Sequence, residues 1–355
     1  MTADRAHASF RAVRLTTLWC IEALVFAGIT GGLLSSARHA APMEARAAVM
    51  PAESPLIDGP DPELSPAQVA TGTFLGMSDE LLMARMRVSE VRTLHFNRGG
   101  SSVSFRVDFV DGSRAAFKPT QTNPQSVPRK EAAAYRLGKQ LGLRVIAPTV
   151  MRTLRREDLL GKLAADSEWT RSRIENETIF DDKGQTLGAL MYWIPQVMDL
   201  KLDTTEGILH WSSWLSQGSD VPHDKALLLS QLSSLLIFDL IQNNSDRFSG
   251  GNVLGSADGR TLYFMDNAFG FQADSDGHQR CWSYLKRAQK FSRSFVRALA
   301  ELDKQRLQEA LTDEKVGPLL SSDELDALLS RRDGALKYVN GLIREFGEAK
   351  VLVFP

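Results

Sequence analysis

Two stretches in the second half of the chain carry side chains suited to acid–base chemistry and metal binding. The stretch NNSDRFSGGN contains Asp246, Arg247 and Asn252, and the run LYFMDNAFGF that follows it contains Asp266. Asp246 comes just after a long apolar segment, where its carboxylate could accept the proton of an attacking hydroxyl group. Asp266 and Asn252 offer oxygen ligands, which Mg²⁺ and similar divalent ions prefer. The pattern fits one half of a phosphoryl-transfer site.

The first half of the chain offers the complementary groups. The turn NRGGSS contains Gly99 and Gly100, whose backbone amides can approach phosphate oxygens closely. Lys118 ends the apolar run RAAFK, and Glu131 follows early in a helical segment, where it could pair with Lys118 or bind metal. A lysine on the nucleotide phosphates, supported by a glutamate, is a recurrent part of ATP-dependent transfer sites.

Each of these features also has an ordinary structural interpretation. A Gly-Gly turn is more often only a hairpin, and Asp246 alone could accept backbone amides in an Asx-turn. Lys118 could be a solvated strand end, and Glu131 a residue favoured by the helix dipole. The order of the five features along the chain favours the catalytic interpretation. No nucleophile elbow, Walker loop or dinucleotide fingerprint is present, and the histidines show no metal-ligand spacing.

The elements that must position these residues are predicted from hydrophobic periodicity and turn residues. Alternation around Asn97–Gly100 and Asp111–Gly112 predicts three antiparallel strands within residues 91–120. Further strands are predicted near 147–154, over 187–196 and over 262–266, and helices over 78–90, 130–141, 224–244, 280–310 and 322–346. Strands first and helices second indicate an α+β, two-lobed fold with a strand-rich N-lobe, a helical C-lobe and the ligand site in the cleft between them.

The N-terminal region has a different composition. The predicted organisation is a basic cytoplasmic N-terminus at 1–14, a signal anchor at 15–34, a disordered Pro- and Ala-rich tether at 35–66, an N-lobe at 67–196 and a C-lobe at 197–355. The apolar segment predicts a single-pass type II topology with the body outside the cytoplasm; a cleaved signal and a buried helix are the alternatives.

Composition excludes several classes of protein. The 355 residues carry 42 Lys+Arg against 43 Asp+Glu, so no basic field exists to attract nucleic acid. The two cysteines, Cys20 and Cys281, cannot form a disulfide framework for the folded body. Oligomeric state is not readable from the sequence.

The segments KEAAAYRLGKQLGLRVIAPTV, LLIFDLIQNNSDRFSGGN and LYFMDNAFGF together resemble the secretory-pathway kinase family that includes four-jointed and the Golgi casein kinase. The resemblance covers roughly residues 90–300 and implies a protein-kinase-like fold, ATP, and Mn²⁺ or Mg²⁺. It implies Lys118 on the phosphates with Glu131 beside it, Asp246 as catalytic base supported by Arg247, and Asp266 as main metal ligand. Asn252 lies one residue further from Asp246 than in the family pattern. The low cysteine content fits a bacterial-type relative.

These observations leave several functions open. The leading hypothesis is a membrane-anchored kinase, an alcohol-group phosphotransferase that modifies Ser/Thr of proteins or a glycan. Alternatives are a phosphoinositide-kinase-like or toxin-type Ser/Thr kinase, a nucleotide-binding pseudokinase that regulates a partner, and an adhesion or scaffold domain without nucleotide. Acceptor choice is expected to lie in two loop insertions, at 154–186 and 199–223, neither of which carries a readable code.

Overall fold

The computed structural model describes residues 73–249 and 251–355, which belong to one compact unit extending from Pro62 to Pro355. The predicted basic N-terminus, signal anchor and tether lie outside the described residues. Among the helices that are described, none combines the length and apolar character that a membrane span requires. The predicted lobe boundary at 196/197 falls between two strands and stays a prediction.

The strands of the described chain are mostly short. They are β1 (Thr73–Phe74), β2 (Met77–Ser78), β3 (Val91–Phe96), β4 (Phe105–Phe109), β5 (Arg114–Pro119), β6 (Thr149–Arg155), β7 (Gln185–Tyr192), β8 (Met198–Asp199), β9 (Leu254–Gly255), β10 (Leu262–Tyr263), β11 (Thr312–Asp313) and β12 (Gly317–Pro318). The longest five form an antiparallel sheet in the order β3-β4-β5-β7-β6. Lys118 pairs with Ala189 in this sheet, so the lysine lies on a central strand.

Helices dominate the rest of the described chain. They are α1 (Asp79–Val88), α2 (Pro128–Gln140), α3 (Arg156–Gly161), α4 (Glu168–Glu177), α5 (Thr205–Leu215), α6 (Ala226–Gln242), α7 (Gln279–Leu285), α8 (Arg293–Ala300), α9 (Lys304–Ala310), α10 (Ser322–Phe346) and α11 (Glu348–Val351). Strands in the first half and helices in the second confirm the predicted α+β class.

Two apolar clusters cover the two faces of the sheet. On one face, Val107 and Phe117 of the sheet are buried with Leu159 of α3 and Ile174 of α4. On the other face lies α2, whose Ala133 and its neighbours share a large cluster with α6 and the later helices. Helix α2 therefore connects the sheet to the helical half of the molecule.

Several elements agree closely with the sequence prediction. The three antiparallel strands within 91–120 are confirmed. Helix α2 begins two residues earlier than predicted because Pro128 occupies its first turn, where a missing amide hydrogen leaves no helical bond unmade. Helix α10 has the predicted bounds and starts with a capping box formed by Ser321 and Glu324.

The two predicted loop insertions each contain helix over a little less than half of their length, so their description as loops was wrong in that part. Helices α3 and α4 occupy about half of 154–186, because Leu159 and Ile174 find apolar partners on the sheet. Helix α5 lies within 199–223 and buries Trp211 completely. Charged residues on the outer faces of these segments concealed the few apolar positions that hold them in place.

Two further elements are shorter than predicted. The strand over 262–266 is paired only at Leu262–Tyr263, because the chain leaves the ladder and Phe264 donates its amide to the Val145 carbonyl instead. The region 280–310 is divided into α7, α8 and α9, of which α8 and α9 are capped by Ser292 and Asp303. Each new cap satisfies amides that a continuous helix would have bonded internally.

Gly188 is required by the close pairing of β5 with β7. A Cβ atom at this position would overlap the Lys118 carbonyl oxygen and the ring of Phe117. We expect Gly188→Ala to lower the free energy of unfolding by about 1–3 kcal/mol, because the strands must separate. Gly161→Ala is the matched control, since a Cβ atom there would meet no atom within 4 Å. Urea unfolding of both variants checks this expectation; equal midpoints would contradict it.

Candidate active site

Lys118 is held between two carboxylates. Its Nζ lies 2.7 Å from Glu131 Oε1 and also forms an ion pair with Asp266 Oδ1. The lysine and the glutamate are buried, whereas half of the Asp266 side chain is exposed. The pairing of Lys118 with Glu131, one of the two alternatives that the sequence left open, is present in the structure.

Electrostatics keep Lys118 and Asp266 ionised. Burial alone would lower the pKa of Lys118, but the carboxylates of Asp266 and Glu131 outweigh that effect and raise it above its ordinary value. The Lys118 ammonium in turn holds the pKa of Asp266 below its ordinary value, against the opposing effect of burial. Asp266 is therefore a carboxylate at neutral pH, which is the form that binds a metal ion.

Asp266 adopts an uncommon backbone conformation. Its φ is positive and lies in the left-handed region, where Asp and Asn are tolerated better than most residues. Asn244 connects it to the neighbouring loop, because Asn244 Nδ2 donates to the Asp266 carbonyl (3.1 Å) and Asn244 Oδ1 accepts from the Asp246 amide (3.2 Å). One side chain thus sets the spacing between the two aspartates of the candidate site.

A buried polar network supports the cluster from below. Arg247, 1% exposed, donates to both carboxylate oxygens of Asp239 from α6 and to Asn267 Oδ1 at 2.7 Å. Gln242 also donates to Asp239 and Asn267. Burial raises the pKa of Asp239, although the Arg247 guanidinium opposes that rise.

Asn267 joins the buried network to the lysine. Its backbone amide donates to Glu131 Oε2 at 3.0 Å, so both oxygens of Glu131 accept from protein donors. A metal contact by Glu131 would require Lys118 or Asn267 to move, and the assignment of Glu131 to metal stays a prediction. The chain from Lys118 through Glu131 and Asn267 to Arg247 spans the sheet, α2 and the Asp246 loop.

Asp246 is exposed at the end of the loop that follows α6. Its Oδ2 lies 3.4 Å from Asn252 Nδ2, so the additional residue between them does not prevent the two side chains from meeting. Ser249 donates its amide to the Asp246 carbonyl oxygen rather than to the carboxylate. The Asx-turn interpretation therefore does not account for this aspartate.

Gly99 and Gly100 lie apart from this cluster, in the exposed turn between β3 and β4. Gly99 donates its amide to Asn97 Oδ1 at 3.0 Å. Neither glycine has a positive φ, and a Cβ atom at either would have room without any rearrangement. Their predicted contact with phosphates stays a prediction.

Four residues of the network were not identified from the sequence: Asp239, Gln242, Asn244 and Asn267. Asp239 and Gln242 could have been identified, because they interrupt the apolar sequence of α6. A charged residue in a buried helix requires a partner, so Asp239 indicated a buried ion pair. Asn244 and Asn267 are neighbours of the predicted aspartates, but nothing in the sequence indicates which donors they face.

The donor set suits a hard divalent ion bound together with phosphate oxygens. The described residues contain no group of three His, Cys, Asp or Glu side chains close enough to hold a metal by themselves. Asp266 supplies exposed carboxylate oxygens and Asn252 a half-buried amide oxygen, and Mg²⁺ characteristically uses one or two protein carboxylates plus substrate phosphates and water. The residues therefore fit a metal that binds with a nucleotide.

Comparison with known proteins supports the fold. No known protein family matches the sequence, and no curated protein matches it. Among solved structures, the Golgi casein kinase with Mn/ADP bound aligns with a TM-score of 0.62 at 16% identity, over 79% of this chain and 80% of that chain. Hydra Fam20 with sugar aligns with a TM-score of 0.60 at 18% identity, over 80% of this chain and 95% of that chain. The protein therefore has the kinase-like fold of these two proteins.

Proposed function

We propose that this protein is an ATP- and divalent-metal-dependent kinase that transfers phosphate to hydroxyl groups of proteins or glycans. The observation that carries the proposal is the joining of Lys118, Glu131 and Asp266 in one ion-paired cluster. Asn244 ties that cluster to the loop of Asp246. The fold similarity to a kinase solved with Mn and ADP supports ATP with Mn²⁺ or Mg²⁺ as cofactors.

Each residue has a role that its surroundings favour. Lys118, kept protonated by two carboxylates, neutralises phosphate charge, and Glu131 fixes the direction of its ammonium. Asp266 and Asn252 would hold the metal, which would supply positive charge to the phosphates. Asp246, exposed and free to meet an acceptor, takes the hydroxyl proton. Arg247 fixes the Asp246 loop from beneath through Asp239.

Sequence features extend the proposal to location. The apolar segment 15–34 with its basic flank favours a single-pass anchor with the kinase body outside the cytoplasm. The acceptor is then an exported protein or a glycan. Phosphate transfer in that compartment requires a supply of ATP on the same side of the membrane.

One observation favours a second candidate, a nucleotide-binding pseudokinase. Lys118 binds Asp266 directly, and both oxygens of Glu131 are engaged. A metal at Asp266 must therefore share the carboxylate with the lysine, which would suit binding without turnover. Such a protein would bind ATP with metal and regulate a partner.

Measurements of phosphate transfer and of ATP binding, made on the parent protein and on Asp246→Asn, distinguish the kinase from the pseudokinase. We expect the full-length protein to transfer label from γ-labelled ATP with Mn²⁺ or Mg²⁺ to itself, to casein or to a glycan acceptor. Asp246→Asn is expected to bind ATP with unchanged affinity but to lose transfer, since only the base is removed. Metal-dependent ATP binding without transfer by the parent would establish the pseudokinase. A parent that binds no ATP, judged by thermal stabilisation, would refute both candidates.

A further inference from the structure

The turn that carries Gly99 and Gly100 is held by hydrogen bonds at three points. Asn97 donates its amide to the Ser104 carbonyl at the base of the turn. The buried Gln121 side chain accepts from the Val103 amide at 2.7 Å and donates to the Val103 carbonyl at 3.0 Å. The third contact comes from helix α4, which also places the Trp169 ring 5.8 Å from the guanidinium carbon of Arg98 in the turn.

Arg173 of α4 makes that third contact. Its Nη2 donates to the Ser101 carbonyl at 3.1 Å, near the tip of the turn. Glu177 receives two hydrogen bonds from the same guanidinium, both at 2.6 Å, and this two-point pair fixes the plane of the guanidinium. The guanidinium carbon also lies 5.5 Å from the ring centroid of Phe96. It lies 5.4 Å from the ring centroid of Trp169, so two neighbouring rings, whose centroids are 5.7 Å apart, attract the guanidinium by cation–π interaction.

The far end of α4 is bound to the chain just beyond Lys118. Thr122 donates its amide to the Glu177 carbonyl, and Ile179 donates its amide to the Thr120 carbonyl, both at 2.8 Å. The last turn of α4 therefore contacts both segments, the glycine turn through Arg173 and the segment after the lysine strand through Glu177. A helix is stiff over this length, so it fixes the two segments relative to each other.

The turn contains backbone amides that could donate hydrogen bonds to a ligand. Within the described residues, no hydrogen bond engages the backbone amides of Gly100, Ser101 or Ser102. Consecutive free amides at a turn form a concave surface that attracts anions. An ordered turn presents these donors without first paying the entropy of fixing its backbone.

We propose that Arg173 is a positioning residue that orders the glycine turn for contact with the phosphates of a nucleotide, and that the helical insertion carrying it serves this purpose. The inference rests on the proposed function, because only a nucleotide gives the ordered amides a ligand. Arginine is required rather than lysine, since a single guanidinium donates to Glu177 and Ser101 together while lying near two aromatic rings.

The test compares Arg173→Gln with Arg171→Gln in the full-length protein. Arg171 lies on the same helix and also makes a two-point pair, with Asp166, but it does not contact the turn. Backbone hydrogen exchange of the segment 97–104 reports the order of the turn without any nucleotide. The Michaelis constant for ATP and kcat report its effect on the reaction.

We expect exchange of the hydrogen-bonded amides of the turn, those of Asn97, Gly99 and Val103, to accelerate by about tenfold in Arg173→Gln, the effect of losing one charge-assisted hydrogen bond. The KM for ATP should rise by a similar factor with a much smaller change in kcat, because ground-state binding is what the turn supplies. Arg171→Gln should match the parent in every measurement. Arg173→Lys is expected to recover neither quantity fully.

Several results would overturn the inference. Unchanged exchange of the turn in Arg173→Gln would show that the arginine does not order it, whether or not the protein binds ATP. Faster exchange with an unchanged KM would show that the order of the turn does not serve nucleotide binding. A parent with an ordered turn that binds no ATP would refute the proposed function, and the nucleotide role of the turn with it.

Discussion

Asp266→Asn is expected to reduce phosphate transfer by about a thousandfold or more, because the change removes the charged ligand of the metal that stabilises the transferring group. The structure makes asparagine the right replacement. Asp266 has a positive φ; Asn has nearly the shape of Asp and accepts this conformation, whereas Ala would add backbone strain. The measurement is label transfer from ATP at saturating Mn²⁺ or Mg²⁺, together with ATP binding in the presence and absence of metal.

The fold should survive this change. Half of the Asp266 side chain is exposed, and Glu131 still accepts from Lys118. The expected loss of stability is therefore no more than about 1 kcal/mol. A thermal melt checks that the variant is folded before its activity is compared. Transfer within about tenfold of the parent would contradict the assignment of Asp266 to the metal, since a lost electrostatic contact of this kind costs more.

Asp239→Ala is expected to have the largest effect on stability. The change leaves the Arg247 guanidinium buried, 1% exposed, without a counter-charge. Removing one member of a buried ion pair costs about 3–5 kcal/mol, which is a large part of the stability of an ordinary domain. Urea unfolding measures this loss as a lower midpoint with an unchanged slope.

A double variant distinguishes two contributions to stability: the penalty for leaving the Arg247 charge unpaired and the stabilisation provided by the Asp239–Arg247 ion pair itself. Asp239→Leu combined with Arg247→Met removes both charges and should recover most of the lost stability, because apolar replacements of buried pairs are often neutral. Transfer should remain low in the double variant, since Asn267 loses its donor at 2.7 Å. A single variant Asp239→Ala as stable as the parent would show that the pair does not hold the loop of Asp246.

The sequence predicted those residues of the candidate site whose role follows from their own side-chain chemistry. Lys118, Asp246, Asn252 and Asp266 were each identified by their place at or just beyond the end of a predicted strand or helix, and the structure brings Lys118 and Asp266 into contact. The metal contact of Asn252 was in doubt from the sequence, because the loop is one residue longer than the family pattern. The loop accommodates this residue with Gly251 at a positive φ, a conformation that glycine adopts without strain.

The helical insertion is the clearest failure of sequence-based prediction. The segment 154–186 carries many charges, and Leu159 and Ile174 are the apolar residues that become fully buried within α3 and α4. Two apolar positions give too weak a periodic signal to distinguish a helix from a polar loop. Helices α3 and α4 are stabilised by the apolar face of the sheet on which Leu159 and Ile174 pack. The sequence of the segment itself does not reveal that this face is present.

The amino-acid sequence by itself determined the alternation that forms the sheet, the apolar segments that form α2 and α6, and the identity of the charged groups at their ends. These features depend on interactions between residues that are near in sequence, which periodicity and capping reveal. Only the tertiary structure decided which donors Asn267 and Glu131 share, how Asp239 pairs with Arg247, and that Arg173 reaches the glycine turn. Those contacts depend on how separate elements pack, so they exist only once packing has set the distances between those elements.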